Sequence, residues 1–311
     1  MLRFIGKRLL WMIPVLLGVS IFIFTILYFT PGDPVRTMLG PMASQEDVEH
    51  VREELGLNDP FLVQYLNFMK EIVLHGNLGK SFSTGESIIS SISIRIPYTI
   101  RVALISMFVS VLIGIPLGMV AALHQNSWLD NLSMFLSMFF VSIPSFWIAL
   151  ELVIFFSLRL HILPAMGVET WKAYIMPCVS MGLGGMAGIA RQTRSSMLEV
   201  LGQDYVVTAR SKGLSNRDVI WKHVFKNAMI PIITTVGGSF ASMLGGSLIA
   251  ETVFAIPGMG VYLMTAISNR DYPVIRGSAL ILSVWFSLCI LIVDIIYAFV
   301  DPRIKQQYTG K

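Results

Sequence analysis

Apolar residues in this chain fall in long blocks rather than at the spacing of a surface helix. The first runs from Leu9 to about Thr30, and others cover 98–122, 132–157, 173–190, 229–252 and 276–300. Each is close to or longer than the ~20 residues that carry a helix through a bilayer core, where every backbone polar group must be satisfied internally. The pattern therefore predicts an all-α integral membrane protein with six transmembrane helices. The fourth block is the least apolar and is rich in glycine (Gly182, Gly184, Gly185, Gly188). Gly184 and Gly188, like Gly114 and Gly118 in the second block, have the small-xxx-small spacing that lets helices approach closely. Prolines at 14, 116, 144 and 177 predict kinks that neighbouring protein must accommodate.

The stretches between blocks set the domain plan. Residues 1–30 form the first span, 31–97 an insertion, and 98–311 the core carrying spans two to six. The insertion predicts two helices, one around Gln45–Leu55 and one over Phe61–Leu74. A second polar segment, 191–228, predicts short helices near the membrane surface. The N-terminal block is too long for a signal peptide and meets no small-x-small cleavage site, so it is expected to remain as a span.

Lysine and arginine positions give an orientation. With the N-terminus inside, the inner segments hold Arg3, Lys7, Arg8, Arg191, Arg194, Arg210, Lys212, Arg217, Lys222, Lys226, Arg303, Lys305 and Lys311. The short outer loops hold only Arg159, Lys172, Arg270 and Arg276. Both termini are therefore expected inside, with 31–97 on the outer side and 191–228 in the cytoplasm. Composition agrees: mean hydropathy is +0.70 and 14% of residues are charged, against roughly 25% in soluble domains. The basic pI of about 9.1 reflects these topology signals, and no nucleic-acid partner is expected. Cys178 and Cys289 lie far apart in apolar stretches, and five scattered histidines show no metal-ligand spacing. Eighteen methionines are spread through the spans as packing material.

The cytoplasmic stretch Asp204-Tyr205-Val206-Val207-Thr208-Ala209-Arg210-Ser211-Lys212-Gly213-Leu214 reads as a short helix. Gly213 would stop it at the C′ position, and Arg210 and Lys212 would stabilise its C-terminal end. A second helix over Asn216–Phe225 would return the chain to the fifth span. Such an exposed helix suits a groove in a cytoplasmic partner; alternatively it is a charged loop that fixes topology. Ionisable residues inside spans are costly and often functional. Glu151 and Asp294 either line a pathway or pair with a neighbouring helix. Glu251, with Phe254, Pro257 and Gly258, forms either an outer gate or binding-protein surface, or a plain interfacial turn. Gly79-Lys80-Ser81 ends like a P-loop, but the pattern needs glycine where Leu74 stands, and no strand precedes it. The chain itself is expected to bind no ATP.

Six stretches in order resemble one family. Pro31-Gly32-Asp33-Pro34, Gly76-Asn77-Leu78-Gly79-Lys80-Ser81, Asp204–Leu214 with Asn227-Ala228 and Pro231, Glu251–Gly260, Asp271-Tyr272-Pro273-Val274 and Asp301-Pro302-Arg303 resemble the permease of binding-protein-dependent ABC importers. The branch is the dipeptide/oligopeptide/nickel one, and the likeness is to the first permease of its pair. The second of these stretches is another of the branch's recurring ones. Asp204–Leu214 resembles the "EAA" loop, although Val207 and Thr208 stand where the broad consensus has glutamate and alanine.

The resemblance implies that Asp204, Tyr205, Ala209, Arg210, Lys212, Gly213 and Leu214 couple to a cytoplasmic ATPase. It implies a second homologous permease, two ATP-binding subunits holding ATP and Mg, and an outer substrate-binding protein. It also implies a bacterial inner-membrane location, with no catalysis and no cofactor in this chain. Dipeptides or oligopeptides are the expected substrates, with nickel, a nickel chelate or glutathione as alternatives. A secondary transporter would show inverted repeats with broken helices, and an intramembrane enzyme would show a nucleophile with its base or a metal cluster. Neither pattern is visible in the sequence.

Overall fold

The computed structural model describes residues 2–40 and 42–300. The Asp301-Pro302-Arg303 stretch and the C-terminal lysines lie outside the described residues. Among the described residues the chain is helical apart from turns and one isolated antiparallel bridge, Lys80–Ser87. Its contacts divide it into two units, one built on Ile100–Ile256 with the later part of the last helix, the other on Lys7–Thr99 with Pro257–Ser287.

The second unit begins at Lys7, within α1 (Leu2–Phe29). Its 28 residues extend about 42 Å, more than the ~30 Å hydrocarbon core. Only 11% of its apolar window is buried, so its remaining surface faces lipid or another chain. The insertion folds into α2 (Pro34–Leu39), α3 (Gln45–Glu54) and α4 (Phe61–His75). Asp33 caps α2 by accepting from the Val35 amide at 3.0 Å, and Pro34 sits in the first turn, where no amide donor is needed. Ser44 caps α3 through the Asp47 amide at 3.0 Å. Gly76 ends α4 in the left-handed conformation at φ 60°, one residue beyond the expected boundary.

The P-loop-like stretch forms a turn that receives a carboxylate of the same chain. Asp271, 3% exposed, accepts from Ser81 Oγ at 2.5 Å and from the Phe82 and Ser83 amides at 3.1 and 3.2 Å. Ser81 Oγ in turn accepts from the Thr84 amide at 3.0 Å. Two of the resemblance stretches, far apart in sequence, thus meet in one clamp. Leu78, Ile88, Ile92, Met259, Val274 and Ile275 pack around its base.

The first unit takes up the chain in α5 (Ile88–Leu123), which starts ten residues before the expected second span. The block at 132–157 does not form one straight helix. It forms α6 (Trp128–Ser142) and α7 (Ser145–Leu152), with π geometry over Val153–Arg159, and the halves meet at 92°. Pro144 follows Ile143, whose extended backbone (φ −86°, ψ 129°) ends α6. Among the described residues five helices are long and apolar enough to cross a membrane, or six if the bent pair counts as one.

α8 (Ile175–Leu201) extends to Leu201, so Arg191 and Arg194 lie on the helix that continues the fourth apolar block rather than in a loop. It shares the lowest mean hydropathy, 1.4, with the run Asn216–Gly245 but is the most buried candidate, with 61% of its window inside, because protein rather than lipid surrounds it. Gly114 and Gly118 make that packing possible. A Cβ on Gly114 would stand 2.7 Å from the Met186 carbonyl oxygen, and one on Gly118 would collide with the Ala190 carbonyl. Gly184 and Gly188 carry the same spacing yet face open space.

The chain then forms α9 (Asp204–Ser211) and α10 (Asn216–Asp218). The expected separate helix over Asn216–Phe225 is instead the start of one continuous helical run. α10 passes through a π stretch, Val219–Phe225, straight into α11 (Lys226–Gly246). α12 (Leu248–Val253), α13 (Met259–Ser268) and α14 (Tyr272–Val300) complete the chain.

Candidate functional site

α9 is held by one face only. Val206 and Ala209, three residues apart, are 1% and 5% exposed and pack with Met197, Val219, Val224, Ala228 and Ile232. On the opposite side Tyr205, Val207, Arg210, Lys212 and Leu214 are exposed, with the apolar Val207 at 58%. Partial burial raises the Tyr205 hydroxyl above its ordinary pKa, keeping it a neutral donor. Asp204 lies in the first turn and Arg210 in the last, each complementing the helix dipole. Gly213 follows at φ 78°, the left-handed conformation its position predicts. Ser215 then caps the next helix by accepting from the Asp218 amide at 3.1 Å.

Of the predicted coupling residues, six reach the surface together, and Ala209 instead belongs to the seam that holds the helix. The sequence had not pointed to an ion pair that ties α8 to α6. Arg194 on α8 makes a two-pronged ion pair with Asp130 on α6, both contacts at 2.7 Å, and the Asn126 amide donates to the same carboxylate at 3.0 Å. Asp130 is 3% exposed. An acid standing just before an apolar block, near no basic residue in sequence, was the available signal.

The candidate pathway residues differ in exposure. Glu151 is exposed on α7. Glu251 is fully buried and accepts from Ser247 Oγ at 2.8 Å. Phe254 is 1% exposed, and its carbonyl accepts from the Gly167 amide at 3.0 Å. Asp294 is partly buried on α14. Pro257 is exposed, and Gly258 is buried at the start of α13. An open groove of about 470 Å³ lies elsewhere in the first unit, lined by small residues of α8 and α11 including Gly184, Gly238 and Ser242, with Ser145 at its edge. Among the described residues no cluster of three or more His, Cys, Asp or Glu could hold a metal ion.

Comparison with known proteins adds the family. Residues 114–306 match the family described as binding-protein-dependent transport system inner membrane component, and residues 1–103 match the corresponding N-terminal family. The dipeptide transport system permease protein DppB of Alkalihalophilus pseudofirmus is 41% identical over 98% of this chain and 100% of its own length. The glutathione transport system permease protein GsiC of Escherichia coli is 39% identical over 98% and 99%. A structure of the inward-facing MetNI methionine ABC transporter shares the fold at 18% identity, with a TM-score of 0.59 over 68% of this chain and 97% of that one. Another, of an amino acid ABC transporter with histidines, has a TM-score of 0.53 at 14% identity. Near full-length similarity at this identity, with a family match across most of the apolar core, makes the chain a member of the binding-protein-dependent transport system inner membrane components: a multi-pass permease subunit of an ABC importer in the bacterial inner membrane.

Proposed function

We propose that this permease imports short peptides, with α9 as the helix through which cytoplasmic ATPases drive it. The observation that carries the reading is the exposed face of α9 on its buried seam, placed between two apolar helices. A helix anchored by Val206 and Ala209 can transmit a push while Tyr205, Val207, Arg210, Lys212 and Leu214 meet another surface. Asp204 and Gly213 set where that helix starts and stops. ATP and Mg²⁺ are held by two partner subunits, and this chain performs no catalysis. A second homologous permease completes the pathway, and an outer binding protein delivers the substrate.

The domain plan follows: residues 1–30 as first span, 31–97 as the outer cap, and 98–311 as the permease core with its cytoplasmic segment. Both termini lie inside if the bent α6–α7 pair crosses the membrane once. Glu151 and Asp294 serve the pathway, and Glu251 with Phe254, Pro257 and Gly258 shapes its outer end. Dipeptides and glutathione, named for the two relatives, are both short peptides bearing carboxylates, which favours that class of substrate.

The test is uptake of a labelled dipeptide and of labelled glutathione by cells carrying the assembled transporter. Replacing Arg210 and Lys212 with glutamate should abolish uptake while the chain still inserts and assembles its apolar core, and Gly213→Pro, which cannot adopt φ 78°, should do the same. Normal uptake by either inserted variant would refute α9 as the drive point.

A further inference from the structure

The second unit contains a cavity of about 370 Å³ at the end of α1, within the size range of small-ligand sites. Arg276, in the second turn of α14, forms part of its wall. The Arg276 Nε is fully buried and makes no hydrogen bond, and the same holds for the Tyr272 hydroxyl beside it. Among the described residues Arg276 has no carboxylate within ion-pair distance. Its guanidinium instead lies 5.1 Å from the Phe24 ring centre and 4.9 Å from that of Phe68. Ring faces attract a cation, but they give its N–H donors no lone pairs.

The acidic group of this cavity is already taken. Asp33, the one acid in the cavity wall, is already engaged by Arg52 at 2.5 Å and flanked by Arg36 at 4.0 Å. The Arg270 guanidinium lies against Gly32, where a side chain would leave it no room. Burying a guanidinium without an acceptor is costly, so the site is built for an anion that the chain does not supply.

Position indicates which anion. Leu27, Tyr28 and Thr30 at the end of α1 line the cavity, while Phe22, Ile26 and Phe29 on the same helix are exposed. The end of a helix longer than the hydrocarbon core reaches the headgroup layer, where tyrosine concentrates. Acyl chains can lie along the exposed side chains of α1 while a headgroup enters the cavity. The planar guanidinium fork matches a phosphate. We propose that this cavity binds the headgroup phosphate of an anionic phospholipid, with Arg276 as its principal ligand.

The experiment uses the assembled transporter in mild detergent, washed exhaustively, with retained lipid measured by native mass spectrometry. Wild type should retain phosphatidylglycerol in preference to phosphatidylethanolamine, and Arg276→Gln should lower that retention about tenfold, the effect of losing one charge-assisted contact. Added phosphatidylglycerol should also raise the thermal midpoint of wild type and not of Arg276→Gln. Should Arg276→Gln fail to assemble, Arg276→Lys keeps the charge without the fork, and its retention should fall several-fold. Equal retention in wild type and the assembled variant overturns the proposal. So does a midpoint raised by inorganic phosphate alone with no lipid retained, which would assign the cavity to a free anion.

Discussion

The clamp around Asp271 and the helix α9 differ in where their side chains find partners. At Asp271 a hydroxyl and two amides of one turn converge on a single buried carboxylate, and the polar groups are satisfied within the chain. At α9 only Val206 and Ala209 turn inward, and apolar Val207 and Leu214 are left exposed beside Arg210 and Lys212. The first arrangement fixes a fold. The second leaves free energy to be gained only when another surface arrives. Under the proposed role of α9, the contrast separates residues whose loss should damage this chain from residues whose loss should damage its assembly.

The largest effect on folding is expected at Asp271. Asp271→Ala removes the acceptor from three donors at once, and stranded buried polar groups cost ~1–3 kcal/mol each without adding fully. A loss of about 3–5 kcal/mol is expected, at the severe end for one substitution. Asp271→Asn keeps a carbonyl acceptor and should cost roughly half as much. Denaturation of the purified chain in detergent, with proteolysis at residues 81–87 as the local readout, checks this. A change below ~1 kcal/mol for Asp271→Ala would remove the basis of the comparison.

A middle-sized effect is expected where α9 meets the rest of its unit. Ala209→Leu forces a larger side chain into the seam with Met197 and Val224, and overpacking costs about 1–3 kcal/mol. The same denaturation series should show it, together with reduced uptake because the helix is displaced. If Ala209→Leu is neutral for stability yet abolishes uptake, Ala209 touches the ATPase rather than the seam, and the inward face must be reassigned.

The sequence made much of this readable, and the gaps have physical causes. Spans two and six follow from apolar runs, but α5 and α8 extend past those runs because a helix continues after its surroundings change from lipid to protein. Pro144 marked a kink; its 92° bend reflects the packing of α7 on α8 and α12, which no local pattern encodes. Gly114/Gly118 and Gly184/Gly188 have identical spacing and opposite surroundings, so the motif alone could not distinguish a packed pair from an open one. Gly213 and its basic neighbours made α9 legible at once, because a helix stop is local chemistry. The pairing of Ser81 with Asp271 was not legible, since 190 positions separate them.

The smallest effect on folding is expected on the outward face of α9, and there the comparison is sharpest. Tyr205 is 43% exposed and Val207 is 58% exposed, and neither belongs to the buried cluster that anchors the helix. The double change Tyr205→Ala with Val207→Ser removes apolar area that this chain does not bury, so stability should stay within about 0.5 kcal/mol. At an interface the same side chains become buried, and losing a well-packed tyrosine there costs about 2 kcal/mol or more of binding. The variant should therefore purify with an unchanged thermal midpoint but recover markedly less ATPase subunit and drive little uptake. Full recovery of both would mean that the partner approaches elsewhere, with Trp221, 52% exposed on the adjoining π stretch, as the next residue to change. A lowered midpoint would mean that the outward face already serves the fold, and the division between the two regions would not hold.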